Sequence, residues 1–547
     1  MGQELDRILA IPRRKQGVIG DLHPLVAKWS PLLLPAQIEA LNELANMPHP
    51  CGLFGDIPVG GGKFLISMLA ATVLRARRAV LLVPPDLVGQ TKREWFGDPR
   101  RGIQPWGQFF PEAANHVPTI VSYGRLSGTK NDKILYELLP DVIISDEAHA
   151  LCSTDSARTA RWMNYVIDNP GTRVVVLSGT LDRPKIEDYA HLAEAALRNG
   201  TFLPLDDTIL AMWASVLNHK AQPGENAKSA LDPLVDWAKT NRDRNPYLAA
   251  FRERKNSTPG VIAPTGTGPG MSLYLRQWRP PTPKVVDEAL KQLAKTWTLP
   301  DGSELVDALA YHRHSNTLSL GFYYKQSICG DADRYEEWRE ARLMWSRALR
   351  RQITYIARAG IDSPARVVLA IRQGRAHKDV AAAYWRWFKI CDVVRIESDP
   401  VWLDKSIVLS AIDKVKQEDR SILWYTSARA LEPVFRSARL PVFGAGTEPP
   451  EGKIKHAALS INTHGTGKNL QAWSRQLVLE PPSSGRSWEQ LLGRTHRRGQ
   501  LADDVICDYS AHEWPLRANM HAARLYAEYV ANTSGKQQKL LIARHLT

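Results

Sequence analysis

The stretch Asp141-Val-Ile-Ile-Ser-Asp-Glu-Ala-His149 constrains the fold of this chain more than any other. Val142, Ile143 and Ile144 are consecutive apolar residues, the pattern of a short strand buried on both faces of a parallel sheet. The polar group Asp146-Glu147-Ala148-His149 then falls where the strand leaves the sheet. Ligands of open α/β sheets bind outside the carboxyl ends of the strands, so a pair of acids there is placed for chemistry. One carboxylate can hold a magnesium ion, and the next can orient or deprotonate an attacking water. From these residues alone, a pair that merely caps the following helix is the alternative.

Upstream, Pro58-Val-Gly60-Gly61-Gly62-Lys63 lies between an expected strand at 52–58 and an expected helix at 64–75. Glycines let backbone N–H groups turn toward phosphates, and a helix N-terminus adds positive potential. Lys63 is placed to reach the β and γ phosphates of a nucleotide. The turn departs from the usual phosphate-binding pattern in two places. Phe64 stands where a Ser or Thr hydroxyl would bind magnesium, and Ile57 where the first glycine would be.

Further strands are expected at 79–84, 119–123, 141–145 and 173–178, alternating with helices, which implies a parallel sheet covered on both faces. At 547 residues the chain exceeds one core. The α/β rhythm stops near residue 190 and returns near 405, with a helix at 403–417 and strands at 421–426, 455–461, 476–480 and 505–509. The expected fold is α/β: a lead-in at 1–30, a first parallel-sheet domain at 31–190, a mainly helical insert at 191–404, a second parallel-sheet domain at 405–515 and a basic helical tail at 516–547. Nine of the seventeen tryptophans lie in the insert, where aromatics beside Arg and Lys can stack on bases or wedge a duplex, but at helical spacing read as core, Trp338 and Trp345 as one buried face. Ser319 to Lys325 is the stretch of the insert whose composition best suits a surface.

The net charge of +14 favours a polyanionic partner, most simply nucleic acid. Five scattered cysteines without a CxxC pair argue against a disulfide framework and a zinc site, and fit a reducing cytoplasm. The longest mostly apolar run, 64–74, is too short to span a bilayer, so no membrane role is expected.

The glycine turn with Lys63, followed about eighty residues later by Asp146-Glu147-Ala148-His149, resembles helicase superfamily two. Further segments match that family in order. Gln37 resembles the upstream glutamine that reads adenine; Leu82-Val-Pro-Pro85 with Gln90 and Trp95 resembles motif Ia, Val121-Ser122-Tyr123 motif Ib, Ser178-Gly-Thr180 motif III and Ile422 to Ser427 motif IV. Leu459-Ser-Ile-Asn-Thr-His-Gly-Thr-Gly467-Lys-Asn-Leu470 is similar to motif V, and Gln490-Leu-Leu-Gly-Arg494-Thr-His-Arg497-Arg-Gly-Gln500 to motif VI. The closing Arg-Gly-Gln resembles the Swi/Snf-type translocase branch, and the looser match of the insert resembles phage-encoded helicases of that branch.

The resemblance implies two RecA-like domains and ATP with Mg²⁺ as cofactors. Asp146 holds the metal, Glu147 activates water, Gln37, Gly60, Gly61, Gly62, Lys63, Phe64 and Gly467 line the nucleotide, and Gln490, Arg494 and Arg497 sense its γ-phosphate. Gln490, Arg494 and Arg497 at i, i+4 and i+7 are expected on one helical face, where two guanidiniums can stabilise developing phosphate charge. The nucleic-acid track is expected along Lys92, Arg93, Ser122, Tyr123, Ser427 and Thr463, with mostly phosphate contacts. The implied partner is DNA, duplex favoured and single strands possible, in the cytoplasm of a bacterial or phage-infected cell. An RNA helicase, or a nucleic-acid-binding scaffold whose ATPase site has degraded at Phe64, are the competing readings.

Overall fold

The computed structural model describes every residue except 1, 59, 129–131, 182, 240–244, 265–270, 357–360, 450–453, 466–467 and 547. Contacts divide the chain into two compact units. Unit 1 comprises Met1–Gly266, Ala341–Phe388 and Tyr529–Lys536, and unit 2 comprises Thr267–Glu340, Lys389–Glu528 and Gln537–Thr547.

Unit 1 is built on a six-stranded sheet of β1 (Leu53–Asp56), β2 (Ala79–Val83), β3 (Thr119–Ser122), β4 (Val142–Asp146), β5 (Arg173–Ser178) and β6 (Val261–Ile262), in the order β3-β2-β4-β5-β1-β6. Every pairing is parallel. The apolar runs of β2, β4 and β5 are buried nearly end to end because helices cover both faces of the sheet. Alternate residues feed two cores. Phe54, Leu82, Ile143 and Val174 pack on one side with Trp162 and Trp213, and Leu53, Leu81, Ile144 and Val175 on the other with Leu41 and Met68. In this order β5 separates β1 from β4, so the segments leaving those three strands emerge side by side at one sheet edge.

Unit 2 carries β7 (Ser272–Trp278), β8 (Phe322–Gly330), β9 (Val394–Trp402), β10 (Ser421–Tyr425), β11 (Val442–Phe443), β12 (His456–Ser460), β13 (Arg475–Val478), β14 (Asp504–Ser510) and β15 (Arg544–Leu546). Seven of these form a second all-parallel sheet in the order β11-β12-β10-β13-β14-β7-β15, and β8 pairs with β9 as an antiparallel ribbon. Two cores again lie on opposite faces, Ile422 and Trp424 in one and Leu423 and Tyr425 in the other. The fold is therefore α/β, with two parallel sheets and many helices.

Several segments differ from expectation. The lead-in at 1–30 contains helices Gly2–Ala10 and Pro24–Trp29, and it buries Ile8 and Trp29. Its basic Arg14 is clamped between Glu39 (2.6 Å) and Glu43 (2.8 Å), so that charge holds structure together rather than keeping the segment in solvent. Contacts do not follow the boundaries at 190, 404 and 515. The stretch 191–404 is shared out, with β6 on the first sheet, β7 on the second, and 341–388 in unit 1. β7 is a half-buried strand whose Arg276 faces Asp508 of β14 in register and bonds it at 2.6 and 3.0 Å.

The tail forms helix Trp514–Ser534 and ends in β15, paired with β7, so its last residues are sheet rather than helix. Ser319 to Lys325, expected at the surface, is mostly core: Ser319, Leu320, Phe322 and Tyr323 are buried where the chain enters β8. Trp338 is buried and donates to the Cys391 carbonyl, whereas Trp345 is half-buried against Tyr384, and the boundary between the units falls between the two tryptophans. Among the described residues no helix is long and apolar enough to cross a membrane.

Candidate functional site

The glycine turn of unit 1 connects β1 to helix Lys63–Val73, with Gly62 as its N-cap. Gly60 (φ +86°) and Gly62 (φ +80°) occupy left-handed backbone, and the turn is closed by the Gly61 N–H, which donates to the Pro58 carbonyl (3.0 Å). At Gly62 a Cβ would lie 2.3 Å from Gln37 Nε2, and at Gly61 2.6 Å from the Ile57 side chain, so a side chain at either position would displace its neighbour. Gln37 explains the crowding: its amide donates to the Gly62 carbonyl (2.8 Å) and its carbonyl accepts from Leu34 N (2.7 Å). The glutamine thus pins the turn from the helix Pro35–Asn46.

Lys63 Nζ donates to the Ile57 carbonyl (3.3 Å) and lies 3.7 Å from Glu147 Oε1. Glu147 follows β4 in left-handed backbone (φ +50°), which turns its side chain away from the strand direction. Its N–H donates to Asp146 Oδ1 (3.0 Å). His149 Nδ1 is 3.2 Å from Glu147 Oε2 and within hydrogen-bond distance of the hydroxyls of Ser178 and Thr180 beyond β5 (3.2 and 3.4 Å). Ser178 Oγ donates to Glu147 (3.3 Å). The turns after β1, β4 and β5 are therefore joined in one polar network.

Burial raises the Asp146 pKa to about 7, helped by the neighbouring charge of Glu147 and opposed by Lys63. A carboxylate held at such cost is one that a cation would stabilise, and adjacent carboxylates with hydroxyls make a hard oxygen donor set suited to Mg²⁺. Phe64 contributes no ligand: its ring packs edge-on against Trp95 (6.4 Å between centroids), joining helix Lys63–Val73 to helix Val88–Phe96.

In unit 2 the late arginines leave β13 by way of helix Gly485–Thr495. Arg494 is 4% exposed, and its guanidinium donates to the carbonyls of Gly465 (3.1 Å), Gln490 (3.1 Å) and Lys468 (3.3 Å), tying the two late motifs together. Arg497 donates to Asn469 Oδ1 (2.5 Å). The shared helical face is not formed as expected, because the helix ends at Thr495 and Arg497 lies beyond it. His496 is the C-cap, and its buried imidazole faces the Met271 carbonyl through Nε2 (3.1 Å) and accepts from Lys539 at Nδ1 (3.2 Å). Gln490 is buried on the same helix. Gly467 lies outside the described residues.

Burial, with Lys539 beside it, lowers the His496 pKa to about 4. Between pH 6.5 and about 4 the unfolded chain binds a proton that the folded unit refuses, so stability falls as pH drops through that window. His496 is expected to make unit 2 about 2 kcal/mol less stable at pH 5 than at neutral pH. Urea unfolding of His496→Asn at both pH values should show a smaller loss than wild type, and an unchanged loss would contradict this origin.

The residues expected along nucleic acid are placed variously. Lys92 is exposed and Arg93 half-buried on helix Val88–Phe96. Ser122 caps helix Tyr123–Ser127 by accepting from Arg125 N (3.3 Å). Tyr123 is 1% exposed and its hydroxyl donates to the Asp146 carbonyl (2.9 Å), so its side chain braces the acid pair from within the core. Ser427 and Thr426 donate their N–H groups to Glu480 (2.8 and 2.6 Å), which ties the turn after β10 to the turn after β13. Thr463 is half-buried on the short helix Ile461–His464.

Sequence reasoning missed Glu480, whose sequence neighbours carry no motif, and the buried cluster at Asp56. Asp56, the last residue of β1, bonds Lys255 (3.1 Å) and Lys536. Nothing in the spacing of 56, 255 and 536 announces that contact.

No protein-family model matches the chain, and no curated protein matches its sequence. Among solved structures it is similar to the structure of Mycobacterium smegmatis helicase Lhr bound to ssDNA and AMP-PNP, at 12% sequence identity and a TM-score of 0.40. The similarity covers 95% of this chain and 51% of that one, so the chain spans about half the length of the helicase it matches.

Proposed function

We propose that the chain is an ATP-dependent translocase or helicase of superfamily two that acts on DNA. The observation that carries this reading is the convergence, at one edge of the first parallel sheet, of a glycine turn pinned by Gln37, Lys63 reaching Glu147, and the paired acids Asp146 and Glu147. The N-terminus of helix Lys63–Val73 and the Lys63 ammonium would bind phosphates, and Asp146 would hold Mg²⁺. Bound there, Mg²⁺ neutralises charge on the phosphates. Glu147, oriented by Ser178 and His149, positions a water and takes its proton. His149 couples that carboxylate to the turn after β5, a route by which the state of the nucleotide reaches the rest of unit 1. Within unit 2, Arg494 fixes the Gly465–Lys468 stretch and Asn469 accepts from Arg497, a guanidinium of the kind that stabilises phosphate charge in a transition state.

Phe64 favours one competing reading, a nucleic-acid-binding scaffold that no longer hydrolyses ATP, because it removes the hydroxyl metal ligand. ATP turnover measured with single-stranded DNA, duplex DNA and RNA of equal length separates the readings. Stimulation by DNA over RNA is the expected result. Stimulation by RNA alone would make the chain an RNA-dependent enzyme, and absence of turnover under all conditions would leave the scaffold.

A further inference from the structure

Within unit 1, residues 341–388 stand apart in composition. They contain ten Lys and Arg against two Asp and no Glu, a net +8 out of the chain's +14. They also hold three of the seventeen tryptophans. Helices Pro364–Arg372 and Lys378–Phe388 pack with the second half of helix Tyr335–Ile356 around a small core of Val367, Ile371, Val380 and Tyr384. The module is docked on the rest of unit 1 by Arg161, whose guanidinium bonds Asp362 at 2.5 and 2.7 Å, so one of its two acids is already neutralised.

Its surface combines apolar and basic groups in a way packing does not require. Trp385 and Phe388 are 42% and 51% exposed and form a continuous aromatic row with Tyr384 and Trp345 (centroid spacings 4.9 to 5.7 Å). Trp345 lines an open cleft of about 560 Å³ whose other walls include Leu369, Arg366 and Arg372. That volume lies in the range of ligand-binding clefts. A soluble surface gains nothing from exposing a tryptophan and a phenylalanine side by side unless something covers them. Arg366 is paired with Asp132 outside the segment, yet the segment stays strongly basic, so a polyanionic cover that presents flat apolar faces to the aromatic row suits it. Single-stranded nucleic acid has both properties, since bases stack on aromatic rings while phosphates meet guanidiniums.

We infer that residues 341–353 and 361–388 form a binding surface for single-stranded nucleic acid, with bases stacking along Trp345, Trp385 and Phe388 and phosphates contacting Arg372 and its basic neighbours. The surface extends the proposed nucleic-acid partner to a place that none of the motifs occupies, and it acts whether or not the chain hydrolyses ATP. The test is binding of a fluorescent oligo-dT to the full chain without nucleotide, across a salt series. Trp385→Ala should weaken binding about 5- to 100-fold, and Trp385→Tyr should restore most of it. The doubly reversed Arg372→Glu/Arg375→Glu, which alters only exposed side chains, should flatten the salt dependence by about 1.4 in log–log slope, about 0.7 for each phosphate no longer neutralised. Oligonucleotides carrying 5-iodouracil should crosslink within 341–388. Unchanged affinity and slope in both variants with crosslinks elsewhere, or binding to anionic lipid vesicles but not to oligo-dT, would overturn the inference. ATP turnover without DNA is expected to stay at the wild-type level in these variants, so a failure here leaves the motor reading intact and a dead ATPase leaves this surface intact.

Discussion

Glu147→Gln is expected to lower ATP turnover by about 100- to 10,000-fold while leaving ATP binding in place, because it removes the base and keeps the shape. The geometry explains why the loss should be large. Glu147 is held from three directions, by Lys63 (3.7 Å), by His149 (3.2 Å) and by Ser178 (3.3 Å), and its own N–H is spent on Asp146. The glutamine can keep the contact with Ser178 but can accept no proton. Steady-state turnover and binding of a fluorescent ATP analogue, measured on the same preparation, separate the two effects. A turnover within tenfold of wild type would place the base elsewhere.

Asp56→Ala is expected to destabilise unit 1 by about 3–5 kcal/mol, the usual cost of leaving buried charge without its counter-ion. Asp56 is fully buried, and two ammonium groups converge on it, from Lys255 at the end of helix Pro246–Asn256 and from Lys536 just beyond helix Trp514–Ser534. Removing the acid leaves both lysines in a low-dielectric site. Lys536→Ala should cost much less, since Lys255 still neutralises the carboxylate. The effect has a functional address: Ile57, the next residue, accepts from Lys63 and donates to the Ser178 carbonyl (3.1 Å). Hydrogen exchange of the β1 amides should accelerate strongly in Asp56→Ala and mildly in Lys536→Ala. The reverse order would show that Lys536, not Asp56, is the group the site cannot do without.

Five of the six strands of the first sheet were legible as short, largely apolar runs, such as Val142 to Asp146 and Val174 to Ser178, whereas β6 (Val261–Ile262) was not. The second sheet was legible in its centre and not at its edge. β7 and β15 come from segments whose hydrophobic pattern is weak, and their place depends on partners more than 200 residues away, such as Asp508 for Arg276. The same distance hid the Asp56 cluster, which no local pattern encodes. Local patterns also misled where a polar residue is buried by tertiary contacts. Arg497 reads as helical, but the helix ends at Thr495 with the buried His496 as its C-cap, and the bond from Tyr123 to the Asp146 carbonyl has no local signal. The acids, the glycines and Lys63 stand at the strand ends where the sequence places them, and the structure brings Gln37, the glycine turn, Lys63, Asp146 and Glu147 into one network.

The central claim is that the Gly60–Lys63 turn grips the phosphates of ATP. Equilibrium binding of ATP to wild type and to Lys63→Ala, with and without Mg²⁺, tests it most directly. The account predicts Mg²⁺-dependent binding to wild type that Lys63→Ala loses, and equal binding to both proteins, or none to wild type, would contradict it.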